Sequence, residues 1–186
     1  LRLEFKSDHE DPLFSLRRID KAVIAVARAL LFKTGPAACF PLQAGAFLHS
    51  RRDLAAPDLQ MHFLPGVSSG RIRAPFLKTP PGVYEGFGLS CNICHLRPES
   101  RGEIRLASND PLDRPKIFAN YLAAEADRIA IREGVKKVRE IFAQPALRDR
   151  WTEESLPGKK VQSDAEIDAY VRATAGSIYH PVGTCR

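Results

Sequence analysis

What this sequence lacks narrows its function first. No apolar run is long enough to cross a bilayer. The best, residues 22–32, is interrupted by Arg28 and falls short of the ~20 residues a spanning helix needs. No G-x-G-x-x-G leads from a strand into a helix, because Gly82, Gly86 and Gly88 have neither the spacing nor the context. No P-loop and no G-x-S-x-G nucleophile elbow occurs. The chain is therefore expected to carry no dinucleotide-binding element of its own. Four cysteines (Cys39, Cys91, Cys94 and Cys185) in 186 residues are too few to staple a domain of this size, so reduced thiols in a cytoplasmic setting are expected. No leader pattern is visible and the first residue is Leu1 rather than Met. The chain reads as an excised piece of a larger protein, with any targeting information outside it.

The composition is that of a globular protein. Apolar residues make up 44% and charged residues 27%, close to the usual proportions. The length suits one domain, 1–186, with a real core. Net charge is +6 and the isoelectric point is near 9.3. The basic residues are dispersed (Arg17-Arg18, Arg51-Arg52, Lys136-Lys137, Lys159-Lys160) and not interleaved with aromatics. A solvated surface is expected rather than a nucleic-acid interface.

Periodicity gives the elements. Residues 1–6 alternate Leu1, Leu3, Phe5 against Arg2, Glu4, Lys6, a half-buried strand. Asp11-Pro12 suits an N-cap and first-turn pair. Leu13, Leu16, Ile19, Val23, Val26 and Leu30 then recur at helical spacing to about Lys33, with the apolar face expected in the core. Strands are expected over 43–50 and 59–64, the second with Leu59, Met61 and Phe63 facing one way and Gln60, His62 and Leu64 the other. Residues 66–88 are rich in Gly and Pro with little periodicity. So long an irregular stretch reads either as the wall or lid of a cavity or as a plain loop.

Residues 88–96 and 103–108 read as two strands of an antiparallel hairpin around the turn 97–102. Ile131, Val135, Val138 and Phe142 mark a helix ending before Pro145. Ser163-Asp164-Ala165-Glu166 is a capping box opening a helix closed at Gly176. Strands come first and helices later, without βαβ alternation. The expected fold class is α+β, an antiparallel β-sheet with helices packed on one side.

Two motifs invite chemistry. Cys91-Asn92-Ile93-Cys94-His95 has the C-x-x-C-H form of haem attachment. It lies in a strand pattern, where residues three apart point to opposite faces, so the two thiols cannot grip one haem or metal. No second Cys/His pair at zinc-site spacing occurs. The second motif is the segment 177–186, SIYHPVGTCR. Pro181 pushes His180 toward an extended conformation, and Gly183 allows a turn or a close approach. Local chemistry alone favours a plain loop over an imidazole presented to a pocket.

Tyr179-His180-Pro181-Val182-Gly183-Thr184 resembles the HPxGT signature of the glucose–methanol–choline (GMC) family of flavin-dependent alcohol oxidoreductases. The likeness runs nearly end to end. The stretch 57–65 is similar to a substrate-domain strand of that family. Residues 97–115 resemble its hairpin and Asn120-Tyr121-Leu122 the segment after it. Gln144-Pro145-Ala146-Leu147 and Pro157-Gly158 follow in family order. Within the family the chain resembles choline dehydrogenases and related flavin-dependent alcohol dehydrogenases.

The resemblance implies the substrate-binding domain of such an enzyme, with 177–186 at the junction with a missing FAD-binding domain that holds most of the cofactor. It implies that His180 takes or stabilises the hydroxyl proton of a small-molecule alcohol while hydride passes to flavin, and an imidazole titrates near neutrality. The second catalytic group is expected on a further segment, so the excised chain alone is expected to be inactive. The resemblance also places His62 in the active-site lining, although a satisfied sheet histidine explains it equally. Ile178 is a further candidate substrate contact. Gln43 stands where choline-type members carry a carboxylate. A quaternary ammonium without that counter-charge forgoes several kcal/mol in a dry pocket. A neutral primary alcohol is therefore expected rather than choline. The rival class, a non-catalytic module binding a small molecule or a protein, is told apart by the absence of flavin bands in the full-length protein.

Overall fold

A computed structural model of the chain describes residues 1–11, 13–39, 42, 44–67, 74, 84, 86–180 and 182–183. Seven strands are found among them: β1 (Arg2–Ser7), β2 (Ala44–Leu48), β3 (Leu59–Leu64), β4 (Phe87–His95), β5 (Glu103–Arg105), β6 (Lys116–Phe118) and β7 (Glu153–Leu156). The helices are α1 (Ile19–Phe32), α2 (Glu125–Phe142), α3 (Pro145–Arg148) and α4 (Asp164–Thr174). Five strands form one sheet in the order β2-β3-β4-β1-β7, every neighbouring pair antiparallel. The α+β expectation holds, with α2 lying across β3 and β4 and α4 packed on α2.

The core follows from period-2 strands meeting a period-3.6 helix. Leu3 and Phe5 of β1, Leu59 and Met61 of β3, and Cys91 and Ile93 of β4 are buried in one cluster with Ile131, Val135, Val138 and Phe142 of α2. Phe5 stacks on Phe142 with ring centroids 3.9 Å apart. Ile167 and Val171 of α4 are fully buried in the same cluster. Each such side chain contributes about 1.5–3 kcal/mol on leaving water. Helix and sheet approach closely at Gly134, where an added Cβ would lie 2.8 Å from Ile93 Cγ2.

Four expectations are corrected. The first helix does not start at residue 13: a 3-10 turn, Ser15–Arg17, precedes α1. Asp11 does not cap a helix either. It is buried, and its carboxylate accepts the Gly88 N–H at 3.1 Å. The apolar face of α1 is not core: Val23, Val26 and Leu30 are 62%, 50% and 67% exposed, and Ala25 is the buried residue of the helix. The spacing was helical, but among the described residues the 3-10 turn is the main neighbour of α1. Lastly, β5 does not pair with β4. Both edges of β4 are taken, by β3 and β1, so β5 pairs with β6 and leaves Ile104 and Leu106 exposed. Most of 66–88 lies outside the described residues.

Candidate functional site

A cavity of about 230 Å³ opens where the ends of β3 and β4 meet the start of α2 and the segment after α4. Gln60, Cys94, His95, Asp127, Ile178 and His180 are among the residues that line it. The delivery of His180 begins with the capping box of α4. The Ser163 hydroxyl accepts the Glu166 N–H, and the Glu166 carboxylate accepts the Ser163 N–H. The helix runs to Thr174 and leaves through Ala175 in an extended conformation. Tyr179 then sits in the left-handed region at φ 66°, with its N–H donated to Ser177 Oγ at 2.9 Å. A left-handed non-glycine residue costs about 1–3 kcal/mol unless its surroundings support it. His180 and Tyr179 are exposed, and Ile178 is at the border of exposure.

The structure brings His180 and Ile178 into one cavity. His62 lies on β3, opposite Asn92 of β4 and Gly45 of β2, and its Nε2 is buried without a hydrogen-bond partner. It is not among the lining residues, whereas Gln60, two residues earlier on the same sheet face, is. Gln43, Pro181, Thr184 and Cys185 lie outside the described residues.

The cavity also has a polar wall that the sequence patterns did not mark. His95, at the end of β4, holds Nδ1 3.6 Å from Asp127 Oδ1 and Nε2 4.0 Å from Asp58 Oδ2. Burial lowers its pKa, and the carboxylates of Asp127, Asp58 and Glu99 offset this only in part, so the ring is neutral near pH 7. For Asp127, burial opposes the charged form. The Ser100 hydroxyl and the N–H groups of Glu99 and Ser100 outweigh that and hold the carboxyl below its ordinary value. Asp58 accepts from Ser50 N–H at 2.6 Å and Ser50 Oγ at 2.5 Å. The sequence signal for His95 is the C-x-x-C-H run, in which a histidine reads as a haem ligand and not as a neighbour of Asp58 and Asp127. Strand alternation does separate the thiols: Cys91 joins the core and Cys94 the cavity. Among the described residues, no group of three or more His, Cys, Asp or Glu could hold a metal ion, and no helix is long and apolar enough to cross a membrane.

Residues 98–186 match the sequence model of the GMC oxidoreductases. The chain is 38% identical over 157 residues to an oxygen-dependent choline dehydrogenase of Vibrio vulnificus, covering 84% of this chain and 27% of that protein. It is 40% identical over 144 residues to an alcohol dehydrogenase [acceptor] of Pseudomonas putida, covering 77% of this chain and 25% of that protein. The chain is thus similar to the GMC oxidoreductases, through the family match over 98–186 and through these relatives. It spans about a quarter of the length of these GMC relatives. The fold agrees: a crystal structure of formate oxidase superposes with a TM-score of 0.80 at 23% identity, over 99% of this chain and 36% of that one. The matched GMC region holds the turn 98–102, α2, α4 and His180, and so most of the cavity wall.

Proposed function

We propose that this chain is the substrate-binding part of an FAD-dependent dehydrogenase that oxidises a primary alcohol to an aldehyde, with His180 as the group that takes the hydroxyl proton. The observation that carries this is the exposed imidazole of His180 in a cavity lined beside it by Ile178 and Val182, inside the family-matched region. Bound FAD would supply the two-electron acceptor for the substrate hydride. The residues present fit the reactive edge of such a group: an imidazole with exposed apolar neighbours, Ile178 and Val182, suits a flat and largely apolar ring. Residues for the rest of the cofactor belong to the remaining length of the protein, which is the partner this domain is expected to meet.

The chemistry assigned to this chain is limited. His180 accepts the proton as the alcohol becomes an alkoxide, which raises the tendency of its carbon to give up hydride. Ile178 and Val182 keep water from the reacting carbon. The polar sheet face at Gln60 offers hydrogen bonds that hold the alcohol oxygen, while His62, on the same face, stands outside the cavity wall.

Choline is the second reading, favoured by the name of the Vibrio vulnificus relative. Gln43, a neutral amide in the segment before β2, favours an uncharged alcohol. The test is anaerobic stopped-flow flavin reduction in the full-length protein. His180→Ala is expected to slow reduction by about a hundredfold or more, within the range of a general base. Reduction at the wild-type rate overturns the role of His180. Turnover of choline well above that of simple primary alcohols selects the second reading, and full-length protein with no flavin bands refutes both.

A further inference from the structure

Asp127 is the third residue of α2, and its side chain is 3% exposed. An acid in the first turn of a helix stabilises it by a few tenths of a kcal/mol to ~1 kcal/mol. That role does not require what this carboxylate does. Oδ1 accepts the Glu99 N–H at 2.7 Å, and Oδ2 accepts the Ser100 N–H at 2.9 Å together with the Ser100 hydroxyl. Ser100 Oγ in turn accepts the Ala124 N–H at 3.0 Å, at the N-cap of α2. The carboxylate thus clamps the turn 98–102 onto the helix start.

The far side of that turn holds the His180 segment. The Gly102 N–H donates to the Gly183 carbonyl at 3.2 Å. Gly183 has φ 88°, and a Cβ built on it would stand 3.3 Å from the Ser100 carbonyl oxygen and 3.4 Å from Arg101 Cδ. The Asn120 side chain braces the turn from outside, donating to the Arg101 carbonyl at 2.9 Å. Gly183 is three residues beyond His180, and Asp127, Ser100, His180 and Val182 all line the same cavity.

We propose that Asp127 is a positioning residue for His180, acting through Ser100 and the Gly102–Gly183 hydrogen bond. This rests on the assignment of proton transfer to His180. The clamp couples the rigid start of α2 to a short segment whose hydrogen bond at Tyr179 is only local. A displacement of about 1 Å at a reacting group can cost a hundredfold in rate, which is the scale of effect the clamp can exert without touching substrate.

The experiment is flavin-reduction kinetics of the full-length protein, with rates normalised to bound flavin, for Asp127→Ala, Asp127→Asn and Ser100→Ala, alone and combined with His180→Ala. Asp127→Ala is expected to lower the limiting reduction rate about ten- to hundredfold with little change in substrate affinity. Asp127→Asn keeps the size and one acceptor oxygen, and should fall between it and wild type. Ser100→Ala keeps both backbone N–H bonds and should cost least. In the His180→Ala background the Asp127 variants should add no further loss, because there is no base left to misplace. Should Asp127→Ala fail to fold, Asp127→Asn carries the same comparison. Unchanged normalised rates, or an equal fold-loss in both backgrounds, would mean a merely structural role and overturn the inference while the function of His180 stands. A wild-type rate in His180→Ala alone overturns the proposed function and this inference with it.

Discussion

Gly134 offers a sharp test of how α2 is seated on the sheet, because two effects of known size oppose each other there. In mid-helix, Gly→Ala is worth up to about 1 kcal/mol in helix propensity. Against this, the new methyl would stand 2.8 Å from Ile93 Cγ2 and 3.5 Å from Leu59 Cδ1. The Cγ2 methyl branches directly from the Cβ of a strand residue that is 1% exposed. It cannot retreat without leaving its rotamer, and β4 cannot shift while β3 and β1 hold both its edges. Overpacking of this kind costs about 1–3 kcal/mol, so the clash wins and Gly134→Ala is expected to lose roughly 1 kcal/mol net. Urea unfolding of the chain, at a slope of about 1–3 kcal/mol per molar, should show the midpoint falling by about 0.3–1 M. Replacing Ile93 by Ala removes the obstructing methyl. In that background Gly134→Ala should change sign and stabilise. Gly176→Ala serves as the control, since a Cβ there meets nothing within 4 Å. A rise in stability for Gly134→Ala in the wild-type background, or the same shift in both backgrounds, refutes the close approach as the reason for the glycine.

Two further outcomes follow from buried titratable groups. Because burial lowers the His95 pKa, the unfolded chain binds more protons than the folded one between that depressed value and the ordinary histidine value. Stability is therefore full above the ordinary value and declines as pH falls through the window. His95→Gln should flatten this limb in unfolding midpoints measured between about pH 5 and 8, and an unchanged slope contradicts the assignment. Burial also pushes the Cys91 thiol up to about 12. In the folded chain it should resist alkylation at about pH 8 while exposed Cys39 reacts. Peptide mapping that finds Cys91 modified as fast as in urea would show that the strand is not closed over it.

The elements legible in the sequence were those whose burial is one-sided. β3 was expected at its observed bounds, and β4 and α2 near theirs, because Leu59, Met61, Cys91, Ile93, Val135 and Val138 all point into one core. The capping box of α4 was readable since its two hydrogen bonds are local. What failed was non-local. β7 carries Glu153-Glu154-Ser155-Leu156, with no alternating pattern, and exists because β1 offers it an edge and because Arg139 pairs with Glu154 at 2.7 Å. The hairpin expected between 88–96 and 103–108 failed because β4 is central, which no local pattern reveals. At the site, a six-residue motif pointed to His180, but the clamp at Asp127 joins residues 24 to 28 positions apart and looks, in sequence, like any acid in a first turn.

The placement of β1 has a consequence for how the protein comes into being. Its six residues are the first strand of the chain but lie fourth across the sheet, pairing with 87–92 on one edge and with 153–156 on the other. During synthesis β1 emerges before both of its partners and waits for them. Until β4 is made it has no ladder at all, and until β7 is made one row of its N–H and C=O groups stays open to any passing strand. Contacts that span so much of the chain are also slow to find. The sheet is thus completed only when β1 meets strands made much later, and the interval between them is when the nascent chain is most exposed to wrong pairing.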